Sequence, residues 1–398
     1  MFETLKDQPE DKIMALMALF AQDQRDKKID LGVGVYKNDQ GITPIMKAVS
    51  RAISFLNIKQ KSKSYVGLLG NMSFTDQIIR LVLEDAVPRD RIVGGQAPGG
   101  TGALHQLLLL IRSVKLKPSV WISSPSWPNH QAILDHLGIR CLKYSYFNTE
   151  TCEVDFDHMM SDLVSVKSGD VILLHGCCHN PTGANLSYEN WVDLTKFCLE
   201  KNILPLVDLA YQGFGDGIEE DVAGLRHMTA NLPEICIAVS GSKNFGLYRE
   251  RVGAAIAVVS DKKGHKIVED NLKSFNRLTF SFPPDFGASV VDLVLSEFDT
   301  DGTPLIKLWR TELTEMRSRM LDLRLSLAES LRRTTNSSRF DFVAKHRGMF
   351  SLLGLSPDEV LRLRKEYGIY MVGDSRINLA GLNNTQLDDF SMAIAAVI

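Results

Sequence analysis

Four short runs rich in apolar and β-branched residues set the terms on which this chain can fold: VWISSP (120–125), VILLHG (171–176), ILPLVDLA (203–210) and ICIAVSGS (235–242). None alternates apolar with polar residues as a strand with one wet face does. Each therefore reads as a strand covered on both sides, the habit of a largely parallel sheet. The stretches between them, such as 102–115 and 187–201, have helical length and apolar spacing. Strands alternating with helices between about residues 45 and 300 predict an α/β layer architecture.

Further along, Ile306, Trp309, Leu313, Met316, Met320, Leu323 and Leu327 recur at steps of three and four, which predicts one long amphipathic helix over 304–332. Beyond it the rhythm changes. RFDFVA, MFSLLGL and RINLAG read as short strands and 356–367 and 384–398 as helices, so a smaller α+β domain is expected there. At 398 residues the chain is long enough for two domains. It has no repeat and no Gly/Ser-rich linker, so the two are expected to pack together, with any motion a hinge.

Lys+Arg 45 against Asp+Glu 48 gives a formal net charge of −3, which argues against nucleic acid as the main partner. No apolar run approaches the 18 or so residues that span a bilayer. The N-terminal stretch has a short apolar segment at 13–20 between acidic residues and no basic region, unlike a signal peptide. Six scattered cysteines without a C-x-x-C pair suggest neither a zinc site nor a disulfide framework, and a cytoplasmic protein is expected.

Pro98-Gly99-Gly100-Thr101-Gly102 follows a probable strand and opens a helix. Glycines there let backbone N–H groups approach an anion at the positive end of the helix; a tight turn explains the same residues. The segment is neither a P-loop nor a dinucleotide fingerprint, which leaves the phosphate of another cofactor. Asp208 ends the strand ILPLVD and Lys243 lies just past ICIAVS, where open parallel sheets bind their ligands. Singly, the lysine fits a solvated loop and the aspartate a cap. Together with the glycine segment they meet the needs of pyridoxal 5′-phosphate: a lysine for a Schiff base, a carboxylate for the pyridine nitrogen, and a phosphate cup.

Ser240-Gly-Ser-Lys243-Asn-Phe-Gly-Leu-Tyr-Arg-Glu-Arg251-Val-Gly253 resembles the lysine motif of class I pyridoxal-phosphate-dependent aminotransferases, in their aspartate and aromatic branch. Pro125-Ser-Trp127-Pro-Asn-His130, His175-Gly-Cys-Cys-His-Asn180-Pro-Thr-Gly183, Asp208-Leu-Ala-Tyr211-Gln-Gly-Phe214 and Gly348-Met-Phe350 resemble the same family in the same order. The resemblance implies fold type I: a large domain, 45–311, with a mostly parallel seven-stranded sheet flanked by helices. A small domain of 1–44 and 312–398 would close over the substrate.

It also implies roles. Lys243 would carry the cofactor and move the proton between the substrate α-carbon and the cofactor, with Asp208 on the pyridine nitrogen. Tyr211 and Asn180 would donate to the phenolic oxygen, Trp127 would stack on the ring, and His130 and His175 would stand behind Asp208. Gly100, Thr101, Ser240 and Arg251 would form the phosphate cup, with Tyr65 added by the neighbouring subunit of a homodimer. Arg376 would bind the substrate α-carboxylate, Arg277 of the neighbouring subunit the second carboxylate, and Gly34 and Phe350 would flank the substrate. Amino acids and 2-oxo acids are the implied substrates. Phe282 stands where aspartate-preferring relatives usually carry a polar residue, whereas Lys37, Thr43 and Thr101 resemble the acidic-substrate pattern. The expectation is therefore transfer from aromatic amino acids and aspartate to 2-oxoglutarate by a ping-pong mechanism through pyridoxamine phosphate.

Overall fold

The computed structural model describes residues 1–7, 10–115, 117–299 and 302–398. At its centre is a seven-stranded sheet of β1 (Ile92–Pro98), β2 (Val120–Ser124), β3 (Cys141–Ser145), β4 (Val171–His175), β5 (Leu204–Leu209), β6 (Ile235–Ser240) and β7 (Val252–Val258). The spatial order is β1-β7-β6-β5-β4-β2-β3. β7 runs antiparallel to both β1 and β6, and the remaining neighbours are parallel. The four apolar runs became β2, β4, β5 and β6. β6 and β7 are buried at every residue, as a sheet covered by helices on both faces requires.

Parallel strands need crossovers, and the helices Pro128–Leu137 and Tyr188–Lys201 supply two of them. Tyr188–Lys201 starts at a capping box in which Ser187 accepts from the Asn190 backbone and the Asn190 side chain accepts from the Ser187 N–H. α1 (Gly99–Ser113) follows β1 with no intervening residue and packs on β6 and β7.

α2 (Leu305–Thr335) is the predicted long helix. Its first half, through Met320, lies in the apolar core around the sheet, and Leu323, Leu327 and Leu331 lie in a second core. That second core also takes Ile29 and Leu31 from the N-terminal segment and the apolar faces of Pro357–Tyr367 and Leu387–Val397. Two short ladders complete it: Ile29–Asp30 pairs in parallel with Ile369–Tyr370, and β8 (Phe350–Leu352) pairs antiparallel with β9 (Arg376–Asn378). RFDFVA is not a strand. One helical turn, Phe342–Lys345, takes its place, because a turn puts Phe340, Phe342 and Val343 into the second core together where alternation would send neighbours to opposite faces. Among the described residues no helix is long and apolar enough to cross a membrane.

Trp309 fixes the loop after β6 to α2. It is fully buried, stacks on Phe245 at 4.8 Å between ring centroids, and donates from Nε1 to the Asn244 carbonyl at 2.7 Å. Trp309→Ala leaves a cavity under that loop and is expected to cost about 3–5 kcal/mol, read as a fall in the urea unfolding midpoint.

Candidate active site

Asp208, penultimate in β5, stands opposite His175 of β4 and Ala238 of β6 in the strand register. Its carboxylate is buried and accepts from His130 Nε2 at 2.9 Å. Burial alone would raise its pKa. The His130 hydrogen bond, followed by the charges of His130, His175 and Lys243, overcomes that and holds the carboxyl below its usual range. The histidines form a relay: Ser126 Oγ lies 2.9 Å from His130 Nδ1 and 3.3 Å from His175 Nε2, and the Asn180 N–H donates to His175 Nδ1 at 3.4 Å. Burial pushes His175 down to about 3, so it is neutral near pH 7.

Lys243 opens the turn after β6, closed by a Gly246 N–H to Lys243 carbonyl bond of 3.0 Å. Burial lowers its pKa, Arg251 adds to the fall, and Asp208 opposes it. Its Nζ lies 5.1 Å from the centre of the Tyr211 ring. Burial lifts the Tyr211 hydroxyl well above its ordinary value, so it is a proton donor at neutral pH.

Facing these groups is the start of α1. Its first turn has no acidic residue and no side-chain cap, so its N–H groups are left for another acceptor. Gly99 has φ of 71°, and a Cβ there would run into the Arg251 guanidinium; a Cβ on Gly100 would come within 2.9 Å of Ser240 Cβ. Arg251 donates to Ser242 Oγ at 3.2 Å and to the Tyr248 carbonyl at 3.1 Å. A helix N-terminus, a guanidinium and two serines closing on a space kept open by glycine make a cradle for a phosphate-sized anion.

At the other end of the cavity Arg376, at the start of β9, is buried. Its Nη1 donates to Asn180 Oδ1 at 3.3 Å and its Nη2 to the Gly32 carbonyl at 3.0 Å, while Nε has no partner among the described residues. Burial lowers its pKa. The Phe350 ring lies 4.5 Å from its guanidinium carbon, and a Cβ on Gly34 would come within 3.0 Å of that ring.

The structure thus gathers Gly34, Gly100, Thr101, Trp127, Asn180, Asp208, Tyr211, Ser240, Lys243, Arg251, Phe350 and Arg376 around one cavity of about 230 Å³. Tyr65 and Arg277 lie elsewhere. Tyr65 is 86% exposed and stacks on Phe282 at 4.8 Å, and the Arg277 guanidinium lies 5.7 Å from the same ring. Sequence reasoning had expected both to serve a neighbouring subunit. It missed Ile13, Cys177 and Ser242 on the cavity wall. Ser242, one residue before the lysine and beside Ser240, was the readable one; Ile13 arrives from the N-terminal helix Lys12–Gln22 and carried no signal.

His175→Gln tests the buried relay. A histidine whose folded pKa is depressed to about 3 from an unfolded value of about 6.5 takes up its proton more readily unfolded, so it lowers stability as pH falls from about 6.5 toward 3. The variant is expected to show a shallower loss of melting temperature over that range, measured by thermal unfolding at stepped pH.

The model of the family described as aminotransferase class I and II matches residues 26–394. The chain is 47% identical over 398 residues to the aromatic-amino-acid aminotransferase of Paracoccus denitrificans, covering 100% of each. It is 40% identical over 402 residues to the aspartate aminotransferase of Escherichia coli, again covering 100% of each. The aromatic-amino-acid aminotransferase of Burkholderia pseudomallei, solved covalently bound to pyridoxal phosphate, superposes with a TM-score of 0.95 at 37% identity, covering 100% of this chain and 99% of that one. With a cavity built from a half-buried lysine, a buried carboxylate and an anion cradle, and with relatives matched end to end, this chain belongs to the class I and II aminotransferases.

Proposed function

We propose that this protein transfers the amino group of aromatic amino acids and of aspartate to 2-oxoglutarate, with pyridoxal 5′-phosphate held on Lys243. The observation that carries the reading is buried Asp208 and half-buried Lys243 lining one cavity with Arg251 and the uncapped start of α1. When bound, the cofactor supplies an electrophilic carbonyl for amines and a protonated pyridine ring that takes up the electron pair left by a departing α-proton.

Each residue then has work suited to its surroundings. Gly100, Thr101, Ser240 and Arg251 hold the phosphate. Asp208, kept ionised by His130, holds the proton on the ring nitrogen. Tyr211 and Asn180 donate to the phenolic oxygen, and Trp127 lies along the ring face. Lys243, whose lowered pKa favours the free amine, would be the group that takes up and gives back the proton of the substrate α-carbon. Arg376 grips the substrate α-carboxylate, for which its unpartnered Nε and planar fork are suited.

A homodimer fits the surface. Tyr65, Phe282 and Arg277 form one outward-facing cluster, suited to reach the cavity of a second copy. There Arg277 offers a fixed charge for the second carboxylate of aspartate or 2-oxoglutarate, and the two rings offer apolar contact to an aromatic side chain. The second core supports a small domain of 1–44 and 312–398 that closes over the substrate held by the large domain, 45–311. Six free cysteines agree with a reducing, cytoplasmic setting.

Purified protein supplied with 2-oxoglutarate is expected to make glutamate from both phenylalanine and aspartate. Turnover with aspartate alone would remove the aromatic half of the reading, and no glutamate from either would sink it. Lys243→Ala should lose the visible absorption band of the bound cofactor and slow turnover by about a thousandfold. Arg277→Leu should lower kcat/KM for aspartate by roughly 10- to 100-fold, the worth of a lost hydrogen-bonded charge, with a smaller change for phenylalanine, measured by steady-state kinetics.

A further inference from the structure

Arg324, in the middle of α2, has no solvent exposure at all. A buried guanidinium ordinarily sits against a carboxylate. Among the described residues no carboxylate pairs with this one, and Arg347, of like sign, bears on it unfavourably. Burial pushes its pKa down to about 9, which leaves it charged at neutral pH.

What compensates the charge is a ring of oxygens from one short segment. Nη1 donates to the Val343 carbonyl at 3.1 Å and to Ser351 Oγ at 2.8 Å; Nη2 donates to the carbonyls of Gly348 and Phe350, each at 2.8 Å. Nε has no partner. Four acceptors spread over residues 343–351 wrap one cation, so the segment cannot move without exposing that charge to an apolar surround.

The held segment leads into the cavity by two routes. Phe350 puts its ring against Arg376, and Leu352, two residues further along β8, pairs with Arg376 of β9. The carbonyl of Phe350 also abuts Gly183 (φ +77), where a Cβ would collide with it, and the Arg347 N–H donates to the Gly183 carbonyl at 2.8 Å. Gly183 ends the segment that starts at Asn180, which itself accepts from Arg376.

We propose that Arg324 is a positioning residue for carboxylate binding: by gathering the carbonyls of 343–350 it fixes Phe350 and Arg376 against Asn180, although it touches neither substrate nor cofactor. The inference rests on the reading that Arg376 takes the substrate α-carboxylate. Its effect belongs on substrate binding, since Lys243, Asp208 and the anion cradle stand on other elements.

The test is steady-state kinetics and cofactor absorption of the holoenzyme. Arg324→Lys keeps the charge but not the four-way fork. It should raise KM for aspartate and for 2-oxoglutarate by about tenfold while kcat changes by less than about threefold, with the visible band and its pH titration unmoved. Combined with Phe350→Leu, the two KM effects should be less than additive, because they act through one contact. Ser351→Ala, which removes a single acceptor, decides the matter if Arg324→Lys does not accumulate: its KM should rise about threefold, and an unchanged KM overturns the proposal. A proportional loss of kcat, or a loss of the cofactor band in Arg324→Lys, also overturns it. Arg376→Lys separates the two levels. If it raises KM while Arg324→Lys does not, only this inference fails, whereas an unchanged KM in Arg376→Lys removes the underlying reading.

Discussion

Burying charge sets the rules for this molecule. Asp208, Lys243, Arg376 and Arg324 all lie where water is scarce, and an isolated ion there costs several kcal/mol even after the surroundings relax. Each is compensated in a different way. Asp208 has His130 and the nearby Lys243; Arg376 has an amide oxygen and a carbonyl; Arg324 has carbonyls and a hydroxyl. Those partners come from strands and loops distant in sequence, so the compensation exists only when the sheet and the second core are both assembled. The parallel order of β2 to β6 makes that possible, because it brings the carboxyl ends of several strands to one edge.

The electrostatics of the cavity follow from the same arrangement. A depressed carboxyl, a depressed lysine and a histidine neutral at pH 7 lie close together, and each shift has the sign that the proposed chemistry needs. The anion cradle adjoins them, formed by the helix that begins where β1 ends together with Ser240, Ser242 and Arg251. Negative charge is therefore welcomed at both ends of the cavity, by α1 with Arg251 and by Arg376, while the middle is reserved for proton movement.

How much of this a reader of the sequence could see depended on whether the signal was local. β2, β4, β5 and β6 were legible because a strand buried on both faces is apolar throughout. β7 is equally buried, yet its first residues belong to the stretch read as the lysine motif, and its antiparallel direction leaves no mark in composition. RFDFVA was misread because a few apolar positions fit a helical turn as well as a strand, and only the second core decides between them. Twelve of the cavity residues were anticipated because they sit in motifs at strand ends. The resemblance placed His130 and His175 behind Asp208, but Ser126, whose hydroxyl links the two rings, carried no signal of that role. Arg324 falls on the apolar face of α2, four residues after Met320 and three before Leu327, so its inward direction was readable, but the carbonyls of 343–350 that receive it were not.

The pairing of Ile29–Asp30 with Ile369–Tyr370 joins the two ends of the chain. A polypeptide leaving the ribosome holds the first of these partners long before the second exists, so the N-terminal segment must wait while the sheet and much of α2 are made. During synthesis Leu31, fully buried at the end, has no second core to enter. The site shares this timetable, because Gly34 lies three residues after Leu31 and Arg376 lies beyond Tyr370. The cavity is consequently among the last parts of the molecule to be completed, and a chain ending before β9 would lack the wall that Arg376 supplies.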